Sequence, residues 1–148
     1  MPGVARRALV LLPLVLALAA CGGGGGLTKA QYAARVSRLC LDSADQFREL
    51  HLGISVDDWR HYASDVLRIE RNFAVKLAAL KPPASIASEA AAFSKATAKV
   101  AQDDRDAVAA AQAGDGARLH AALDQANRDA LGTYPSAKAI GATGCYIS

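Results

Sequence analysis

Residues 56–80 read VDDWRHYASDVLRIERNFAVKLAAL. Val56, Trp59, Tyr62, Val66, Ile69, Phe73, Leu77 and Leu80 recur at three- and four-residue steps, the spacing that places side chains on one face of an α-helix. Ser55 with Asp58 supplies a start signal, and Asp57 and Asp58 suit the positive end of the helix dipole. Lys81-Pro82-Pro83 ends the pattern, because the residue before a proline is driven out of the helical conformation. The stretch predicts one amphipathic helix over 56–80, and so a fold made by packing helices.

The same period runs on in both directions. A helix is expected from about Lys29 to Leu50. Thr28 and Gln31 form a capping-box pattern at its start, and Tyr32, Val36, Leu39, Cys40, Ser43, Phe47 and Leu50 make its stripe. A third helix is expected from about Ala84 to Ala113, on Ile86, Ala90, Phe93, Thr97, Val100, Ala107, Val108 and Ala111. That stripe is thin and rich in alanine, so a neighbour must approach closely. Asp104, in the run Asp103-Asp104-Arg105-Asp106, comes close to the apolar seam and is locally inconsistent with it. Gly114-Asp115-Gly116 makes a turn into a last helix near Ala117, with Leu119, Leu123, Ala126, Ala130 and Tyr134 in phase. Gly132 and Pro135 interrupt it, so it either ends near Leu131 or kinks and runs to about Ile140. No long strand-like alternation occurs. Four helices joined by short loops predict an all-α fold, a single antiparallel up-down four-helix bundle.

The front of the chain is of another kind. Residues 1–20 hold two bases, Arg6 and Arg7, no acid, and an apolar run from Ala8 to Ala20 broken only by Pro13. A basic start, a short apolar core and small residues at the end mark a secretory signal. A run of about thirteen residues is short of the roughly 20 that a spanning helix needs. Leu18-Ala19-Ala20-Cys21 looks like the lipobox of bacterial lipoproteins. That likeness implies cleavage before Cys21, a diacylglyceryl thioether on its sulfur and an acylated new N-terminus. Gly22 to Gly26 then read as a flexible tether with a root-mean-square reach of roughly 12 Å. The expected organisation is a cleaved signal over 1–20, a lipidated Cys21 and tether over 21–27, and a helical domain over 28–148 on the extracytoplasmic face of the membrane.

The whole chain carries 17 bases and 14 acids. Without Arg6 and Arg7 the balance is nearly neutral, and no basic block suggests nucleic acid. With Cys21 assigned to the lipid, Cys40 and Cys145 remain. In an oxidising compartment one disulfide is the simplest reading, against two free thiols or a metal site. Cys40 stands about twelve residues into the first helix, roughly 18 Å from its start. A full-length last helix would deliver the chain well below it, so the tail must climb back or the last helix must end early.

A catalytic constellation is absent from the sequence. It has no HExxH, GxSxG, CxxC or CxxCH, and no phosphate-binding glycine loop. The one methionine, Met1, would leave with the signal, which excludes a Met/His haem bundle. No glutamate has a histidine three residues on, as di-iron bundles require. No enzyme activity and no cofactor are therefore expected. His51, His61 and His120 would gather at one end of an up-down bundle; they are read first as solvated residues near loops, with no metal expected, and second as candidates for a zinc or copper site. Trp59, Tyr62 and Phe73 are read first as core and second as the lining of a ligand pocket. The charged residues Arg35, Arg38, Arg48 and Glu49, and Arg68, Glu70, Arg71 and Lys76, are read as solvated faces; a basic face near the membrane would also orient the domain on anionic lipid.

Leu27-Thr28-Lys29 leading to Tyr32, Cys40 in the first helix, the Lys81-Pro82-Pro83 break, Gly114-Asp115 before the last helix, and Cys145 after a glycine together resemble small uncharacterised helical lipoproteins of high-GC actinobacteria. The resemblance implies an exported helical bundle with one disulfide and carries no activity with it. Two functions are weighed. One is a membrane-anchored, non-enzymatic interaction or structural module of the cell envelope with a protein partner, which predicts an exposed apolar patch and no internal cavity. The other is an extracytoplasmic receptor for a small ligand or metal, which predicts a cavity in the bundle or convergent histidines.

Overall fold

The computed structural model of the chain describes residues 26–146. The expected signal segment, Cys21 and the first four tether glycines lie outside them. The described residues are helical throughout, with no strand among them: α1 (Lys29–Glu49), α2 (Val56–His61), α3 (Ala63–Ala79), α4 (Ala87–Ala113) and α5 (Gly116–Ile140), with 3₁₀ turns at Ala84–Ile86 and Thr143–Cys145.

The start of α1 is the expected capping box. The Gln31 amide donates to Thr28 Oγ1 at 3.2 Å and the Thr28 amide donates to Gln31 Oε1 at 3.0 Å. Ser55 caps α2 by accepting from the Asp58 amide, and Asp115 caps α5 by accepting from the Arg118 amide. Gly114 ends α4 at φ 75°, a left-handed conformation that glycine adopts without steric cost.

The single helix expected over 56–80 is two. The chain breaks at Tyr62, with φ −93° and ψ 8°. Trp59 is the cause on one side: its indole Nε1 donates to the Gly53 carbonyl at 3.0 Å, which folds α2 back over its own entry loop. Arg60 is the cause on the other. Its Nη2 donates to the Ala111 carbonyl at 3.1 Å and so ties α2 to the end of α4. The break leaves little unsatisfied, because the Tyr62 amide bonds Asp58 and its carbonyl accepts from Asp65 and Val66.

The core has two parts. One gathers Tyr32 and Val36 from the start of α1, Leu77 from the end of α3, Ala90 and Phe93 from the start of α4, and Ala137 and Ile140 from the end of α5. The other gathers Trp59 from α2, Ala63 and Val66 from the start of α3, Ala107 to Ala111 from the end of α4 without Ala109, and Leu119 from the start of α5. Phe47 and Leu50, near the end of α1, pack against this second cluster.

The last helix runs without a stop to Ile140 and carries Pro135 inside it. The tail therefore climbs back. Gly141, at φ 85°, turns the chain out of α5 beside Ala33, and the 3₁₀ turn lies along α1 so closely that Gly144 faces the Ser37 carbonyl. Cys145 then meets Cys40 in a disulfide with a Cα–Cα distance of 5.1 Å. No described helix is long and apolar enough to cross a membrane.

Candidate functional site

Between the two core clusters, at mid-length of α1, α3, α4 and α5, the packing opens into a pocket of about 280 Å³. Phe47 of α1, Phe73 of α3, Phe93 and Val100 of α4 and Tyr134 of α5 give it an apolar wall. Ser43, Thr97 and Thr133 add hydroxyl groups, and the Cys40–Cys145 disulfide closes one side. Its size is near the lower end of the range for small-molecule sites, and its composition matches them: mostly apolar, with a few polar groups. Glu70 is the one acid or base on its wall.

Glu70 corrects the sequence reading. It was expected on a solvated face, yet it is half-buried and faces α4. Burial, then the charge of Asp104 and a hydrogen bond to it, push its carboxyl up to about 8, against a smaller opposing pull from Arg105. Asp104 is itself raised, to about 6, chiefly by burial, with Asp103 adding repulsion and the Glu70 hydrogen bond and Arg105 opposing. The two carboxyls thus share a proton: protonated Glu70 donates to the Asp104 carboxylate. The signal was present in the sequence. Glu70 lies four residues after Val66 and three before Phe73, in phase with the stripe, as Asp104 is with Val100 and Ala107.

A second acid pair stands beside the first. Asp103 is only 9% exposed, and its Oδ2 has no hydrogen-bond partner as a carboxylate. Burial raises its affinity for a proton, and a hydrogen bond to Asp129 raises it further. Asp129 stays ionised below the usual carboxylate range because Lys99 Nζ donates to its Oδ1 at 2.7 Å and Gln125 Nε2 to its Oδ2 at 2.7 Å. The sequence reading missed Asp103, which falls three residues after Val100 and four before Ala107.

The histidine candidates are placed differently from this site. His51, His61 and His120 are all exposed, and no group of three or more His, Cys, Asp or Glu side chains able to hold a metal occurs among the described residues. His51 takes a left-handed φ of 49° after α1, and His61 stands edge-on to Tyr62 with ring centroids 4.6 Å apart. Of the aromatic candidates, Phe73 lines the pocket, Trp59 is buried in the second core cluster, and Tyr62 marks the helix break. Comparison with protein families, with curated proteins and with solved structures finds no match to this chain.

Proposed function

We propose that this chain is a membrane-tethered, extracytoplasmic module that binds a small ligand in the pocket between its helices. The pocket is the observation that carries the reading. A non-enzymatic interaction module predicts a filled interior, whereas here four aromatic side chains and the Glu70 carboxyl line open space. In the proposed arrangement the helices form an antiparallel up-down bundle. The support is the make-up of the core clusters, each of which joins the start of one helix to the end of the next.

The tether reading rests on Arg6, Arg7, the apolar run and Leu18-Ala19-Ala20-Cys21. Charge supports an orientation. The segments around the first core cluster, near where the tether joins α1, carry Lys29, Arg35, Arg38, Lys76, Lys81, Lys95 and Lys138 against one acid, Glu89. The acids concentrate in the segments around the other cluster. A near-neutral chain is thus polarised along its length, with the basic end suited to face anionic lipid.

The test uses the protein from its native membrane. Intact-mass measurement after denaturation should give a triacylated chain beginning at Cys21, and Cys21→Ala should move the protein to the soluble fraction. An unmodified Cys21 or unchanged membrane retention overturns the tether. Native mass measurement on the same preparation should show an additional non-covalent mass that disappears when Ser43→Trp and Thr97→Trp together fill the pocket. A mass that persists in that variant places the ligand elsewhere and overturns the pocket reading.

A further inference from the structure

We infer that the pocket takes an organic cation with an apolar body, a substituted ammonium seated against Phe47, Phe73 and Phe93 with its charge toward Glu70. This rests on the ligand-binding reading and adds the chemical class. The wall carries one acid and no base. Arg105, the one cation that acts on Glu70, is not on this wall; it lines the adjoining crevice between α3 and α4, which shares Glu70, Phe73 and Thr97 with the pocket. An anionic ligand would meet the charge of Asp104 behind Glu70 with no base on the wall to answer it. A bare metal ion would find one carboxylate and apolar surroundings. An ammonium group attached to an apolar body satisfies both halves of the wall: the carboxylate by charge, and the aromatic and aliphatic side chains by burial of the body.

Binding of a cation here carries a proton signature. Asp104 and Arg105 from α4 act on Glu70, with Asp103 acting on Asp104; the other groups on the wall it shares are the neutral disulfide and Ser43 from α1 and the Tyr134 phenol from α5. Near neutral pH the Glu70–Asp104 pair holds one proton. A cation beside Glu70 takes the place of that proton, so the proton leaves to solvent as the cation binds. Binding therefore tightens as pH rises from 6 toward 9, and each cation bound releases up to one proton.

The experiment is a nuclear magnetic resonance titration of the mature chain carrying Cys21→Ala, with benzyltrimethylammonium and its uncharged carbon isostere neopentylbenzene as probes. The expected result is a shift of the Phe47, Phe73 and Phe93 ring resonances by both probes, with the cation at least tenfold tighter at pH 8. Its affinity should rise several-fold from pH 6 to pH 8, and Glu70→Gln should abolish both the preference and the pH dependence. Asp104→Asn keeps a carboxyl on the wall and should move the pH dependence to lower pH. Equal affinity for the two probes, or a preference that survives Glu70→Gln, overturns the cation class while leaving the pocket as a binding site. No ring shift with either probe overturns the binding site itself.

Discussion

Gly144 and Gly132 lie twelve residues apart and meet opposite surroundings. A Cβ on Gly144 would stand 2.5 Å from the Ser37 carbonyl oxygen and 2.9 Å from Leu41 Cγ, so the backbone of α1 or the 3₁₀ turn would have to move. Gly144→Ala should cost about 1–3 kcal/mol, the usual range for forced overpacking. A Cβ on Gly132 would meet nothing within 4 Å, and the residue sits in the interior of α5 at a negative φ. Gly132→Ala should stabilise by about 0.5–1 kcal/mol through lower backbone entropy in the unfolded chain. Urea denaturation of the two variants checks both signs; a neutral Gly144→Ala would mean that the tail does not hold this close approach in solution. Neither glycine announces its role in the sequence. Gly144 is one residue before a cysteine and Gly132 three before a proline, and only the position of α1 tells them apart.

At the scale of elements, α5 holds a proline in its interior and continues. Pro135 removes the amide that would bond the Leu131 carbonyl, yet it is exposed, so water reaches the freed group. Thr133 Oγ1 donates to the Ala130 carbonyl at 2.7 Å and Ser136 Oγ to the Thr133 carbonyl at 2.9 Å, which adds local bonding around the defect. Burial of Leu119, Ala126, Thr133, Ala137 and Ile140 then holds the helix to its end. Pro135→Ala should stabilise by about 1–2 kcal/mol, below the roughly 3 kcal/mol of an interior proline, because hydration already relieves part of the cost; a rise in the thermal midpoint is the readout. The apolar stripes and the caps at Thr28 and Ser55 made the helices legible, since both depend on neighbours in sequence. The break at Tyr62 was not legible, because it depends on Gly53 and Ala111, which reach Trp59 and Arg60 only once the chain has folded. In α5 the stripe expected through Ala130 and Tyr134 drifts to Thr133, Ala137 and Ile140, one residue round the helix, and leaves Tyr134 on the pocket rim. Half of the site was legible for the same reason: Phe47, Phe73, Phe93 and Cys40 stood on predicted stripes. The burial of Glu70 and Asp104 was legible in their phase with the stripes, but their pairing was not, because the register between α3 and α4 sets one against the other.

Across the whole molecule, the Cys40–Cys145 disulfide spans 105 residues and joins the tail to the first helix. Closing a loop of that size is worth up to about 4.7 kcal/mol in the chain-entropy account. Cys40→Ser and Cys145→Ser should therefore lower the thermal midpoint by similar amounts, with little further loss in the double variant. The acid layer between the two core clusters acts on the molecule as a unit and sets its response to pH. Glu70 and Asp104 bind protons more tightly in the folded chain than in the unfolded one, so the folded state takes up protons between about 4 and 8. Their contribution is complete below the unfolded carboxylate range and is lost as pH rises through about 6 for Asp104 and about 8 for Glu70. Asp129 acts in the opposite sense. Its carboxyl is held below its usual range by Lys99 and Gln125, so its contribution is present above that range and is lost as pH falls through the folded value. The two signs together place the maximum of stability in the unfolded carboxylate range, at about pH 4, with a decline that runs to about pH 8 as a second charge is forced onto the Glu70–Asp104 pair. Thermal unfolding from pH 4 to pH 9 should trace that curve. Glu70→Gln, which keeps the shape of the side chain and cannot ionise, should remove most of the alkaline decline and raise the thermal midpoint at pH 9 above that of the unaltered chain. A profile that is flat from pH 5 to pH 9, or a Glu70→Gln variant that declines as steeply as the parent, would show that Glu70 reaches solvent and does not share its proton with Asp104.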